Sequence, residues 1–256
     1  MATLEIYQFP CLSDNYGVLI HDSESNLTAS IDAPEASAVK QALGEKGWTL
    51  THILTTHYHA DHTGGNLELK DATGCTIVGP RNEADRVPGI DVRVGEGDAY
   101  EFGAFTVKIF DTPGHTAGHV TYWIPKANVA FTGDTLFTLG CGRLFEGDAR
   151  TMWNSLSKIA ALPPETVIYS GHEYTLANAE FALSVEPGNA ALQTRADEVR
   201  ELRAKGEATV PTTLMRELET NPFLRPGSPE IQANLGMEGR EAFEVFGEVR
   251  RRKDNA

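Results

Sequence analysis

The densest chemistry in the chain lies in the segment Thr55–Gly65, which places His57, His59, Asp61 and His62 within six residues. Three of the chain's eight histidines fall in this one turn, and imidazoles beside a carboxylate at such density are metal-ligand chemistry. His57 and His59 are two positions apart, so in extended backbone their side chains point the same way. Asp61 and His62 are adjacent and point apart, which suits a second ion better than a closed tetrahedral site on the first. The spacing differs from the helical His-Glu-x-x-His pattern, in which two histidines share one helical face.

Further donors recur downstream on loops rich in Gly and Thr: His115 in Thr112–His119, Asp134 after Thr132-Gly133, and His172 after Gly171. The set His57, His59, Asp61, His62, His115, Asp134 and His172 holds more ligands than one ion takes. Two metals about 3.5–4 Å apart, sharing a bridging carboxylate and a hydroxide, would use them all and leave an edge open for substrate. Imidazole-rich ligation with a carboxylate suits Zn, Fe or Mn. Such a site ionises water near neutral pH and needs neither Ser nor Cys as nucleophile.

The elements that must position these loops read as an α/β chain. Leu4–Phe9, Asn15–Ile20 and Leu27–Ile31 have strand composition, and a helix is expected from Glu35 to Lys46, stopped at Gly47. Ile53-Leu54 is a short buried strand that delivers the His-rich loop, with a helix beginning near Asn66. Cys75–Val78, a hairpin turned at Gly103-Ala104, Val120–Ile124, Asn128–Phe131 and Val167–Tyr169 are further strands, with a helix at Thr151–Ala161. Four times an apolar strand ends in a loop presenting His or Asp, the usual place for a site on an α/β sheet. Beyond about Ala179 only helices are expected, among them Ala190–Lys205, Thr213–Glu219 and Glu241–Lys253.

A chain of 256 residues with 41% hydrophobic and 23% charged residues has the composition of a soluble globular protein. No apolar run approaches the roughly 18 residues that span a bilayer, and no secretion leader is expected from the first residues. Cys11, Cys75 and Cys141 are odd in number and far apart, which fits a reducing, cytoplasmic setting rather than a disulfide framework. A net charge of −14 opposes nucleic-acid binding. The one dense basic cluster, Arg250–Lys253, could serve an anionic ligand or could merely complement a helix C-terminus.

The pattern His57-x-His59-x-Asp61-His62, with His115, Asp134 and His172 at long spacings, resembles the metallo-β-lactamase superfamily. Thr132–Phe137, Gly140–Arg143, Gly171–Thr175, Asn221–Arg225 and the basic tail resemble, more closely, the glyoxalase II (hydroxyacylglutathione hydrolase) family, over nearly the whole chain. The resemblance implies an αββα sandwich at residues 1–175 and a helical substrate-binding domain at 176–256. It implies that His57, His59 and His115 hold one metal, that Asp61, His62 and His172 hold the other, and that Asp134 bridges. It favours His115 over His119 as the ligand. The implied reaction is hydrolysis of S-D-lactoylglutathione or a related 2-hydroxyacyl thioester to glutathione and D-lactate, in methylglyoxal detoxification. Arg250 and Lys253 match the tail residues that bind the glutathione carboxylates, and Arg143 and Tyr174 match positions lining the same groove. The chain has Arg143 and Phe145 where some members have Lys and Tyr, so one hydroxyl contact to the peptide is missing.

The chemistry of the residues agrees with a thioesterase. A thiolate leaves without much help from an acid, since a thiol's pKa is only about 8.5. Asp61 could also guide the proton of the attacking water, although simple ligation accounts for it. Two rival classes stay open: a sulfur dioxygenase of the same fold with a single iron, and a nuclease-like or noncatalytic binding protein. His21 and His52 are expected to be structural, Cys141 a packed thiol, and the chain a monomer.

Overall fold

The computed structural model describes residues 3–256. The chain falls into two compact units, one made of Met1–Asp111 with Thr116–Gly133 and the other of Thr112–His115 with Asp134–Ala256.

In the first unit, β1 (Leu4–Cys11), β2 (Asn15–Asp22) and β3 (Leu27–Ile31) form an antiparallel meander. Helix α1 (Ala36–Lys46) then crosses over, ending at Gly47 in the left-handed conformation that glycine adopts without cost. It returns the chain as β4 (His52–Leu54), parallel to β3 with Ile31 beside Leu54. One turn of helix, α2 (Ala60–Thr63), and α3 (Asn66–Thr73) lead to β5 (Thr76–Pro80), and a 3-10 turn at Arg81–Arg86 leads to β6 (Val92–Val94). The sheet order is β1-β2-β3-β4-β5-β6, with the last three strands parallel to one another. Val39, Leu43 and Leu69 from the helices pack on Leu19, Ile53 and Ile77 from the strands. Burying each such side chain stabilises the fold by about 1.5–3 kcal/mol.

The hairpin β7 (Ala99–Phe102) and β8 (Phe105–Asp111) continues into β9 (Val120–Ile124) and β10 (Val129–Gly133), all antiparallel. Phe102, Phe105, Val107, Ile109, Tyr122 and Phe131 are buried. The Tyr122 hydroxyl donates to the carbonyl of Thr55 at 2.7 Å, and Val120 N–H donates to the carbonyl of Thr56 at 2.9 Å. These bonds tie β9 to the backbone that enters the His-rich segment.

The second unit contains the two-stranded ribbon β11 (Leu136–Phe137) and β12 (Gly140–Cys141), then α4 (Ala149–Ala160), β13 (Val167–Ser170), α5 (Thr175–Val185) and α6 (Ala190–Ala204). It closes with β14 (Thr212–Thr213), α7 (Leu214–Thr220), α8 (Pro229–Leu235) and α9 (Ala242–Asp254). Helix α4 starts at Asp148, whose carboxylate accepts from Thr151 N–H. Ala179 and Ala182 of α5 pack with Leu192, Ala196 and Val199 of α6, the stripe that the helical spacing predicts.

The expectation of helices alone beyond residue 179 is corrected by β14, which pairs with β13 in the register Ile168 to Thr212 and Val167 to Thr213. Two β-branched threonines suit such pairing, but a two-residue strand leaves no periodicity to read. The structure also places Asp61 and His62 on the helical turn α2 rather than on an open loop.

Candidate metal centre

Within the first unit the histidine segment is held from both ends. Asp32 follows β3 in a left-handed conformation, φ +56, and is buried. Its Oδ1 accepts from Thr56 N–H at 2.7 Å, and its Oδ2 accepts from the Thr56 hydroxyl at 2.8 Å and lies 2.8 Å from His62 Nδ1. A carboxylate against Nδ1 fixes the proton there and leaves the Nε2 lone pair for a ligand. The Thr56 hydroxyl lies 3.0 Å from His57 Nδ1.

His57 Nε2 and His59 Nδ1 face each other at 3.1 Å, in keeping with two side chains projecting to one side of extended backbone. His62 Nε2 lies 3.7 Å from Asp61 Oδ2. Asn15, at the start of β2, holds Asp61 by donating from Nδ2 to its carbonyl at 3.0 Å and to Oδ2 at 3.2 Å.

The second unit converges its donors on one carboxylate. Asp134 Oδ2 is 3.4 Å from His115 Nε2 and 3.4 Å from His172 Nε2, and all three residues are buried. His115 Nδ1 lies 3.0 Å from the carbonyl of Arg143, which again keeps the proton on Nδ1 and frees Nε2. Gly142 must be glycine, because a Cβ there would stand 1.9 Å from the Asp134 carbonyl oxygen. The ring of Tyr174 stacks on His172 with centroids 4.7 Å apart and planes 5° from parallel, and the Phe137 ring stands nearly perpendicular to both.

Among the described residues, the first unit offers His57, His59, Asp61 and His62 as possible metal donors, and the second offers His115, Asp134 and His172. His119 is not among these donors; its ring stacks on His57 with centroids 4.9 Å apart. The other two histidines serve packing, His21 against Trp48 and His52 against Tyr100 and Phe102, where burial lowers the pKa of His52. Burial also pushes the Cys141 thiol up to about 11, which makes it inert as a nucleophile at neutral pH.

The expected substrate residues differ in where they stand. Arg143 is exposed, Tyr174 is 40% exposed, and Phe145, 62% exposed, has its ring centroid 5.2 Å from that of His115 with the planes 60° apart. Arg250 is buried: its Nη1 donates to the carbonyl of Cys141 at 2.8 Å and its Nη2 pairs with Asp254 at 2.8 Å. Lys253 donates from Nζ to the carbonyl of Ala177 at 2.8 Å, and burial together with neighbouring Arg250 holds its pKa below the usual lysine value. Arg251 and Arg252 both pair with Glu248.

Sequence reasoning passed over Asp32 and Asn15. Asp32 carried a weak signal, a carboxylate at the end of a short strand before Pro34, whereas nothing in the sequence links Asn15 to Asp61 across 46 positions.

Residues 27–172 match the metallo-beta-lactamase superfamily, and residues 173–256 match the hydroxyacylglutathione hydrolase C-terminus family. The hydroxyacylglutathione hydrolase of Rhizobium meliloti is 57% identical over 255 residues, covering 100% of both chains. That of Methylococcus capsulatus is 55% identical over 251 residues, covering 98% of each. Among solved structures, ETHE1 from Myxococcus xanthus aligns with a TM-score of 0.67 at 27% identity, over 97% of this chain and 98% of that one. BLEG-1 B3 metallo-beta-lactamase shares the fold, with a TM-score of 0.66 at 24% identity over 86% of this chain and 100% of that one. The α/β metallo-β-lactamase fold expected from the sequence is therefore present, with a helical C-terminal region. By full-length identity and by both family matches, the chain belongs to the hydroxyacylglutathione hydrolase family, the thioester hydrolases of the metallo-β-lactamase superfamily.

Proposed function

We propose that the chain holds two divalent ions, one on His57, His59 and His115 and one on Asp61, His62 and His172, with Asp134 between them. The substrate is S-D-lactoylglutathione or a related 2-hydroxyacyl thioester, cleaved to glutathione and D-lactate as part of methylglyoxal detoxification in the cytoplasm. The observation that carries this reading is Asp134 Oδ2 at 3.4 Å from the Nε2 atoms of both His115 and His172, the disposition a bridging carboxylate requires. Imidazole and carboxylate donors without thiolate fit Zn, with Fe and Mn as alternatives.

A divalent ion bound there lowers the pKa of water toward neutrality and polarises the thioester carbonyl. The protein's part is positioning. Asp32 and the Arg143 carbonyl fix the tautomers of His62 and His115, and Asn15 restrains Asp61. No protein nucleophile is needed, and buried Cys141 is unsuited to the role. The leaving thiolate, of pKa about 8.5, departs without a dedicated acid. Arg143, Tyr174 and Lys253 bind the glutathione moiety, together with Arg250, whose guanidinium braces the Cys141 backbone. In this reading residues 176–256 form the substrate-binding part of a monomeric enzyme.

The test is thiol release from S-D-lactoylglutathione by purified protein, with metal counted on the same sample. Two ions per chain and release abolished by chelation, then restored by Zn, are the expected results. A metal-loaded preparation that releases no thiol refutes the reading.

A further inference from the structure

The 3-10 turn at Arg81–Arg86 has no place in the reaction described above, yet it grips the histidine segment at its centre. Glu83 is buried on this turn, with a backbone conformation (φ −136, ψ 26) that breaks the helical run and turns the carboxylate inward. Its Oε1 accepts from Tyr58 N–H at 2.9 Å, and its Oε2 accepts from Gly118 N–H at 2.9 Å. Tyr58 stands between His57 and His59, and Gly118 follows His115 by three positions. One carboxylate thus ties the His57-Tyr58-His59 segment to the backbone at Gly118. Gly118 is fitted to this contact, since a Cβ there would stand 2.8 Å from Glu83 Cγ.

The same turn holds the Tyr58 side chain. The Arg86 guanidinium lies 3.2 Å from the centroid of the Tyr58 ring, and that ring meets the His59 ring edge-on with centroids 4.7 Å apart. Tyr58 is therefore fixed at its amide by Glu83 and at its ring by Arg86, and His59 packs against it.

We propose that Glu83 is a positioning residue for the His57-Tyr58-His59 segment, and that Glu83 with Arg86 sets the affinity of the metal bound there. The inference rests on the metal reading given above. Two backbone amides need two acceptor atoms. In Glu83→Gln one oxygen becomes an NH2 donor that faces an N–H, so one of the two ties is replaced by a repulsive contact.

The experiment is stepwise Zn affinity, measured by competition with a chromophoric chelator on wild type, Glu83→Gln and Arg86→Ala, with kcat and KM on the loaded enzymes and thermal melts of the chelated ones. Glu83→Gln is expected to weaken one Zn by about 10–100-fold, the range seen when partners of metal ligands are removed, and to leave the other nearly unchanged. Lower kcat at constant KM should accompany the loss. Arg86 is exposed, so Arg86→Ala folds even if Glu83→Gln does not, and it should weaken the same Zn by a smaller factor. Variants that keep both Zn affinities at wild-type values overturn the proposal, even if the chelated proteins melt earlier, because that is a structural role alone. A wild type that takes up no Zn would overturn the metal reading and this inference with it, in an arm separate from the variants.

Discussion

Replacing Asp32 by Asn keeps the side chain's shape and removes its charge, and its consequences follow from five atoms. In the wild type Oδ1 receives Thr56 N–H at 2.7 Å, while Oδ2 faces the Thr56 hydroxyl and His62 Nδ1, both at 2.8 Å. If the Asn oxygen stays on Thr56 N–H, its NH2 confronts His62 Nδ1. His62 must then move its proton to Nε2, the nitrogen a metal needs unprotonated. If the amide flips, NH2 confronts the Thr56 N–H and a buried donor is left unsatisfied. Either way one hydrogen bond to a charged group is lost, worth about 1.5–3 kcal/mol. That energy corresponds to roughly a 10- to 150-fold loss in affinity for the ion proposed to bind His62, at about 1.4 kcal/mol per tenfold. Asn tolerates the left-handed backbone found at Asp32, so strain does not confuse the result as it would with Ala. Chelator competition reads the affinity, and nitrogen NMR of the imidazole reads the tautomer. A variant that binds both ions as tightly as wild type, with His62 still protonated on Nδ1, refutes the reasoning.

Glu217 is buried, and burial raises its pKa, although Leu139 N–H, Asn221 and Thr212 all donate to it. A raised carboxylate destabilises the fold above the unfolded pKa of about 4.3, the penalty growing until pH passes the folded value. Glu217→Gln should therefore gain stability relative to wild type as pH rises from 4 toward 7, and melts that run parallel across that range would contradict it. Lys253→Ala should raise KM for the thioester with little change in kcat. Arg250→Ala should also lower Tm, because the Cys141 carbonyl loses a charged donor worth about 1.5–3 kcal/mol. An unchanged KM in both variants would return the basic cluster to a helix-capping role. Phe145→Tyr restores a hydroxyl on an exposed ring and should lower KM by about 2- to 10-fold, one hydrogen bond being worth about 0.5–1.5 kcal/mol. A KM no lower than that of the wild type would show that the hydroxyl finds no partner in the substrate.

The sequence alone determined what is local. Helix α1 was legible because Ala36, Val39 and Leu43 recur at helical spacing and Gly47 ends the run, and the hairpin at Gly103-Ala104 because its flanking strands alternate. The segment from His57 to His62 announced metal chemistry because its donors are close in the chain and of the right types. Only the tertiary structure decided what supports those donors. Asp32 reaches Thr56 and His62 because β3 and β4 are parallel neighbours, and Asn15 reaches Asp61 from another strand. Glu83 meets Tyr58 and Gly118 across 25 and 35 positions, and Arg250 turns inward to Cys141 across 109. These contacts depend on which strands pair and which helix faces pack, and spacing along the chain carries no record of distances that arise only on folding.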